Sequence, residues 1–288
     1  MAILLALIPA IAWGSIGLVS GKLGGNEYQQ TLGMTFGALI FGIGTMLVAH
    51  PTIDGHTWMF GILSGLFWAL GQSNQFRTMK FIGVSMTVPM STGLQLVANT
   101  LAGALLFHEW QNGRDVTLGV IALAVLILGS FYTSRREGKS PQQAEGRSEM
   151  AQGMQSLIIS TIGYAGYTIV YTASHLDATA VVLPQSIGMV VGALLFAARH
   201  QPIAKATAKN ILTGLIWGLG NVFMLISTKS VGLAVAFSFS QMGIVISTFG
   251  SIFLLGEHKT RKEMRWVTIG SLLVIAGGII LGVMKALN

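Results

Sequence analysis

The sequence contains no cysteine. Disulfides, zinc–thiolate centres and thiol nucleophiles are therefore excluded. Charge is scarce as well. Asp, Glu, Lys and Arg make up 9% of the 288 residues, where a soluble domain is nearer a quarter. Acidic residues are the rarer sign, 10 against 17 Lys and Arg, which leaves a formal net charge of +7. The basic residues lie between apolar runs rather than in one patch, which argues for membrane topology and against nucleic-acid binding. No HExxH, GxSxG, P-loop or strand-borne GxGxxG is present, so neither an enzyme activity nor a cofactor is expected. The six histidines show no metal-ligand spacing.

Apolar residues dominate instead, at 52% with a mean hydropathy of +0.68. About 20 apolar residues cross roughly 30 Å of hydrocarbon as a helix. Ten such runs are read here, near 2–21, 31–50, 57–76, 83–107, 115–134, 154–173, 179–198, 210–228, 233–256 and 266–286. The first lacks a basic leader, so it reads as a retained helix and not a cleaved signal. Residues 135–150 hold seven of the 27 charged residues and no apolar run, and read as a solvated linker. Of the 17 Lys and Arg, 14 fall after odd-numbered runs. The positive-inside rule then puts those loops in the cytoplasm and both termini outside.

Two runs share a pattern. "GLFWALGQ" (Gly65 to Gln72) matches "GLIWGLGN" (Gly214 to Asn221), 149 positions on. "LGMTFGALIF" (Leu32 to Phe41) and "IGMVVGALLF" (Ile187 to Phe196) agree at six of ten positions, 155 apart. A third pair ends its helices on Glu109 and Glu257. The expected fold is an all-α integral membrane protein of ten transmembrane helices. It comprises two five-helix repeats, 1–134 and 151–288, flanking the linker 135–150. Five is odd, so the copies would have opposite orientations, as in many secondary transporters. Chance likeness between Gly-rich apolar helices is the competing explanation.

Polar side chains recur inside these runs at helical spacing. Trp68, Gln72 and Gln75 share one face, as do Trp217 and Asn221, and as do Ser91, Gln95 and Asn99. Ser160, Tyr164, Tyr167 and Tyr171 form a stripe; Trp13, Gln185 and Gln241 add to the set. No Asp, Glu, Lys or Arg lies mid-span. An amide in hydrocarbon costs a few kcal/mol unless partnered, so these groups must face another helix or a wet cavity. Amides, hydroxyls and aromatic faces without charge suit a neutral polyhydroxylated ligand. The same residues also serve as plain helix glue, and Gly33, Gly37, Gly188 and Gly192 fit close helix packing. Pro89 and Pro184 either break or kink their helices.

Four stretches resemble the glucose/ribose porter family of the drug/metabolite transporter superfamily, on its glucose-uptake side. They are "WALGQSNQFRTMKFIGVSMTVPMSTGLQLV" (Trp68 to Val97), "LPQSIGMVVGAL" (Leu183 to Leu194), "IWGLGN" (Ile216 to Asn221) and "FSFSQMGIVISTFGSIFLLGE" (Phe237 to Glu257). The resemblance implies alternating-access uptake of a monosaccharide, glucose foremost, across a bacterial plasma membrane, with protons as the usual coupling ion. It supports Gln72, Gln75, Gln95, Asn221 and Gln241 as sugar ligands, with Trp13, Trp68, Tyr164 and Trp217 as walls. Glu27, Glu109 and Glu257 are candidate coupling or gate residues. Ribose uptake, facilitated diffusion and export of another metabolite or drug remain open alternatives.

Overall fold

The computed structural model describes residues 2–106, 112–135, 143–177, 179–198, 200–231, 240 and 243–287. These form α-helices and, among the described residues, no strand: α1 (Ala2–Leu23), α2 (Glu27–Ala49), α3 (Gly55–Ile82), α4 (Val84–Leu105), α5 (Gly113–Ser134), α6 (Gln143–Ala173), α7 (Val182–Ala197), α8 (Lys205–Lys209), α9 (Ile211–Val231), α10 (Gly243–Leu254) and α11 (Arg261–Ala286).

Local chemistry sets the ends. Asn26 accepts from Gln29 N at 2.9 Å while Gln29 Oε1 accepts from Asn26 N at 3.2 Å, a reciprocal cap that starts α2. Asp54 starts α3 by accepting from Thr57 N at 2.8 Å. Gly83, at φ 82°, is the single-residue break between α3 and α4.

Several boundaries differ from expectation. Helix α3 runs on to Ile82, so Arg77 and Lys80 ride on its last turns and not on a loop. The segment read as a linker is helical from Gln143, because Gln, Ala, Glu and Met propagate a helix in water without an apolar face; residues 136–142 lie outside the described set. The short α8 was not anticipated. Neither proline breaks a helix: Pro89 lies within the continuous α4, and Pro184 occupies the first turn of α7, where no N–H is needed.

Three described segments are long and apolar enough to cross a membrane: Glu27–Ala49, Gly113–Thr133 and Arg261–Met284. The helix α3 is long, but its amides and two basic residues dilute its hydropathy. Apolar side chains such as Met34 and Leu157 are buried, but burial does not sort by polarity as in a soluble domain. Val48, Leu195 and Phe253 are exposed, whereas Thr35, Ser64, Ser91, Ser160 and Ser247 are fully buried. Apolar exteriors and paired polar interiors are what a lipid solvent selects.

The helices α6 and α7 pack on α3; α1 and α2 pack on α9; α2 meets α7, and α5 meets α11. Glycines permit the closest crossings. A Cβ at Gly37 would fall 2.2 Å from Ile211 O, and one at Gly65 would fall 2.1 Å from Gln185 O. Of the small residues picked out by spacing, Gly33, Gly37 and Gly188 sit against a neighbouring helix's backbone, whereas Gly192 meets the Ala69 side chain.

Candidate functional site

Two tryptophans mark the centre. Trp68 on α3 and Trp217 on α9 are buried, with ring centroids 5.4 Å apart. Tyr164 on α6 meets Trp68 edge-on at 6.5 Å. Trp13 on α1 donates from Nε1 to Trp217 O at 3.3 Å. Two glycines let these rings approach their neighbours. A Cβ at Gly71 would fall 2.9 Å from Tyr164 Cγ, and one at Gly220 would fall 2.3 Å from Trp13 Nε1. The same aromatic cluster includes Phe76 and Met189.

A chain of polar side chains runs beside the rings. Tyr164 Oη donates toward Gln72 Oε1 at 2.7 Å and Gln75 Oε1 at 3.0 Å. Gln75 Nε2 donates to Ser91 Oγ at 2.9 Å, and Gln95 Nε2 donates to the same oxygen at 2.9 Å. The helical faces read from sequence on α3, α4 and α6 therefore converge. Gln75 is the joint between them, and Ser91, one turn before Gln95, links it to α4. No charged group takes part in this chain. Its members satisfy one another, as buried polar groups must.

The remaining candidates are placed differently. Gln185 donates from Nε2 to Ser64 Oγ at 3.1 Å and joins α7 to α3 rather than joining the amide chain. Asn221 is half-buried on α9, one turn beyond Trp217. Gln241 and Glu109 lie outside the described residues.

Below the amides, a cavity of about 350 Å³ opens between the ends of α1 and α3, the starts of α2 and α4, and Leu255 and Glu257. Phe76 and Met79, one turn beyond Gln72 and Gln75, form its apolar wall. Two predicted carboxylates line it. Glu257 accepts from Val84 N at 2.5 Å, Ser85 N at 3.2 Å and Ser85 Oγ at 2.5 Å, so it caps α4 from the far half of the chain. Glu27 lies 3.6 Å from Lys80 Nζ. Sequence reasoning missed Ser20, Gln30, Phe76, Met79 and Lys80 in this cavity. Helical periodicity assigns a face, but it does not say which gap between helices stays open.

A sequence model described as "Sugar transport protein" matches residues 4–284. The chain belongs to this sugar transport family. A relative from Lactiplantibacillus plantarum, provisionally named a sugar uptake protein, is 55% identical over 99% of this chain and 100% of its own. One from Enterococcus faecalis with the same provisional name is 53% identical over the same shares. A "Probable glucose uptake protein GlcU" from Priestia megaterium is 47% identical, again over 99% and 100%. One crystal structure of another protein superposes with a TM-score of 0.61 over 100% of this chain and 98% of that one, at 15% identity, which speaks to the fold alone.

Proposed function

We propose that the protein is a secondary transporter that imports a neutral monosaccharide, D-glucose foremost, across a bacterial plasma membrane by alternating access. The observation that carries the substrate class is the uncharged chain Tyr164–Gln72–Gln75–Ser91–Gln95 beside Trp68 and Trp217. Amides donate and accept, as sugar hydroxyls require, and the indoles offer apolar faces. A cationic or anionic substrate would call for a counter-charge that the chain does not contain. The names of the relatives point the same way.

The proposed machine is two inverted five-helix units, 1–134 and 151–288, joined by 135–150. Helix partners exchange in support of it: α1 and α2 both pack on α9, as α6 and α7 both pack on α3. Trp68 touches Trp217, its own mate in the repeat. Mates related by a two-fold axis meet only beside it, so this contact is consistent with that arrangement. The cavity lies at the ends of α1 and α3, which charge bias assigns to the cytoplasm.

Import is proposed to run as proton symport, with Glu27 and Glu257 as the described carboxylates on the cavity. Facilitated diffusion is the second reading, because neither carboxylate lies among the amides. Uptake of radiolabelled D-glucose into proteoliposomes decides between them. An inward proton gradient should drive accumulation above the external concentration. Equilibration without accumulation selects facilitated diffusion, and no flux of any monosaccharide defeats the sugar reading.

A further inference from the structure

The central amides are already bonded to each other, whereas the cavity below them has open volume and, in its wall, a residue with an unsatisfied acceptor. Glu27 is the telling residue. Its side chain is nine-tenths buried, yet its Oε2 makes no hydrogen bond. Lys80 Nζ stands 3.6 Å away, beyond hydrogen-bonding distance, and is itself largely exposed. A buried carboxylate oxygen without a donor is costly. Turned toward the cavity that Glu27 lines, this closed-off oxygen would take that donor from a ligand hydroxyl.

The surroundings narrow the ligand class. A second cation beside Glu27 would be repelled by Lys80, and an anion would meet both Glu27 and Glu257. The carboxylate of Glu257 is taken up by the α4 N-terminus, so Glu257 serves as wall and not as anchor. Gln30 donates from Nε2 to Ser20 O and Gly25 O, both at 3.3 Å, which leaves its Oε1 to accept. Phe76 and Met79 offer an apolar face opposite these polar groups. The volume, about 350 Å³, falls in the range of small-ligand sites, roughly 300–1,000 Å³. An acid, an amide, an ammonium and an aromatic wall together fit a neutral polyol.

We propose that this cavity is a second monosaccharide station, one helical turn from the amide centre, with Glu27 as its principal hydrogen-bond acceptor. It deepens the sugar-transport reading and rests on it. Sugar passing between the centre and the odd-numbered loops would pause here, with a hydroxyl donating to Glu27 and its C–H face against Phe76.

The absence of cysteine makes a clean test possible. Leu255→Cys puts one thiol on the cavity wall. Its labelling by N-ethylmaleimide is followed in proteoliposomes with and without D-glucose, alongside D-glucose uptake. Labelling should slow about tenfold when the sugar stands roughly ten times above its dissociation constant. Glu27→Ala in this background should weaken that protection about tenfold or more, through the lost charge-assisted bond. Gln72→Ala should leave it in place. The sugar-free labelling rate and the melting temperature report whether each variant is folded, and Glu27→Gln, which keeps an acceptor, should protect better than Glu27→Ala. Uptake without protection at Leu255→Cys overturns the second station while sparing the sugar reading. Protection that survives Glu27→Ala, or that disappears with Gln72→Ala, also overturns it. Absence of both uptake and protection sinks the two together.

Discussion

Trp68 of α3 and Trp217 of α9 meet edge to face, their centroids 5.4 Å apart and their planes at 62°. They hold the same place in two copies of one motif, 149 positions apart. In the proposed arrangement the pseudo-two-fold axis passes between them, so each half leans on the other at this contact.

Truncating either ring should therefore be costly, and the two costs should not add. Trp68→Ala and Trp217→Ala are each expected to lose about 3–5 kcal/mol of stability, the range for a buried aromatic. The double variant should fall short of the sum by about 0.5–3 kcal/mol, because the residues touch. A double-mutant cycle on unfolding in detergent measures this, and strict additivity would disprove a shared contact.

Tyr164→Phe removes the donor that serves both Gln72 Oε1 and Gln75 Oε1. It leaves the ring against Trp68 and Gly71 but strips the buried Gln72 Oε1 of its donor, while Gln75 Oε1 keeps Gln72 Nε2 at 3.4 Å. Stability should drop by about 1–3 kcal/mol, and sugar uptake should fall with it. Unchanged uptake with unchanged melting would mean that the chain is not needed in either role.

The helix crossings predict opposite fates for two glycines. A Cβ at Gly214 would fall 2.0 Å from Met34 O, with backbone on both sides, whereas nothing lies within 4 Å of one at Gly44. Gly214→Ala should destabilise by about 1–3 kcal/mol through forced separation of α2 and α9. Gly44→Ala should be neutral or stabilising by about 0.5–1 kcal/mol. Melting of the two purified variants makes the comparison.

Acid should loosen the start of α3. Hydrogen bonds from Thr57 hold the Asp54 carboxyl below its ordinary value of 3.8. A depressed folded pKa stabilises fully above the unfolded pKa and is lost as pH falls through the folded one, here below about pH 4. Wild-type melting should therefore drop more between about pH 5 and pH 3 than that of Asp54→Asn, which keeps a cap without the titration. Parallel pH curves for the two would refute this.

Much of the centre was legible because helices repeat every 3.6 residues. The faces carrying Trp68, Gln72 and Gln75, and Ser91 and Gln95, follow from spacing alone. What spacing cannot give is the partner across a gap. Gln185 reads as one more buried amide, yet it is spent on Ser64. Glu257 reads as a helix-end charge, yet it caps a helix 173 positions away. Arg77 and Lys80 read as loop residues, because charge usually ends an apolar run. They extend α3 instead, since Arg and Lys propagate a helix well and Gly83 is the first residue whose backbone stops it.

The central claim is that the amide–aromatic centre handles a neutral sugar. Its most direct test is D-glucose uptake into proteoliposomes by the wild type beside Gln72→Ala, Gln95→Ala and Asn221→Ala, each shown to be folded by its melting. The account predicts flux above empty liposomes in the wild type and a loss of about tenfold or more in the Gln72 variant, the cost of a buried hydrogen-bonding group. Wild-type flux in all three variants would contradict it.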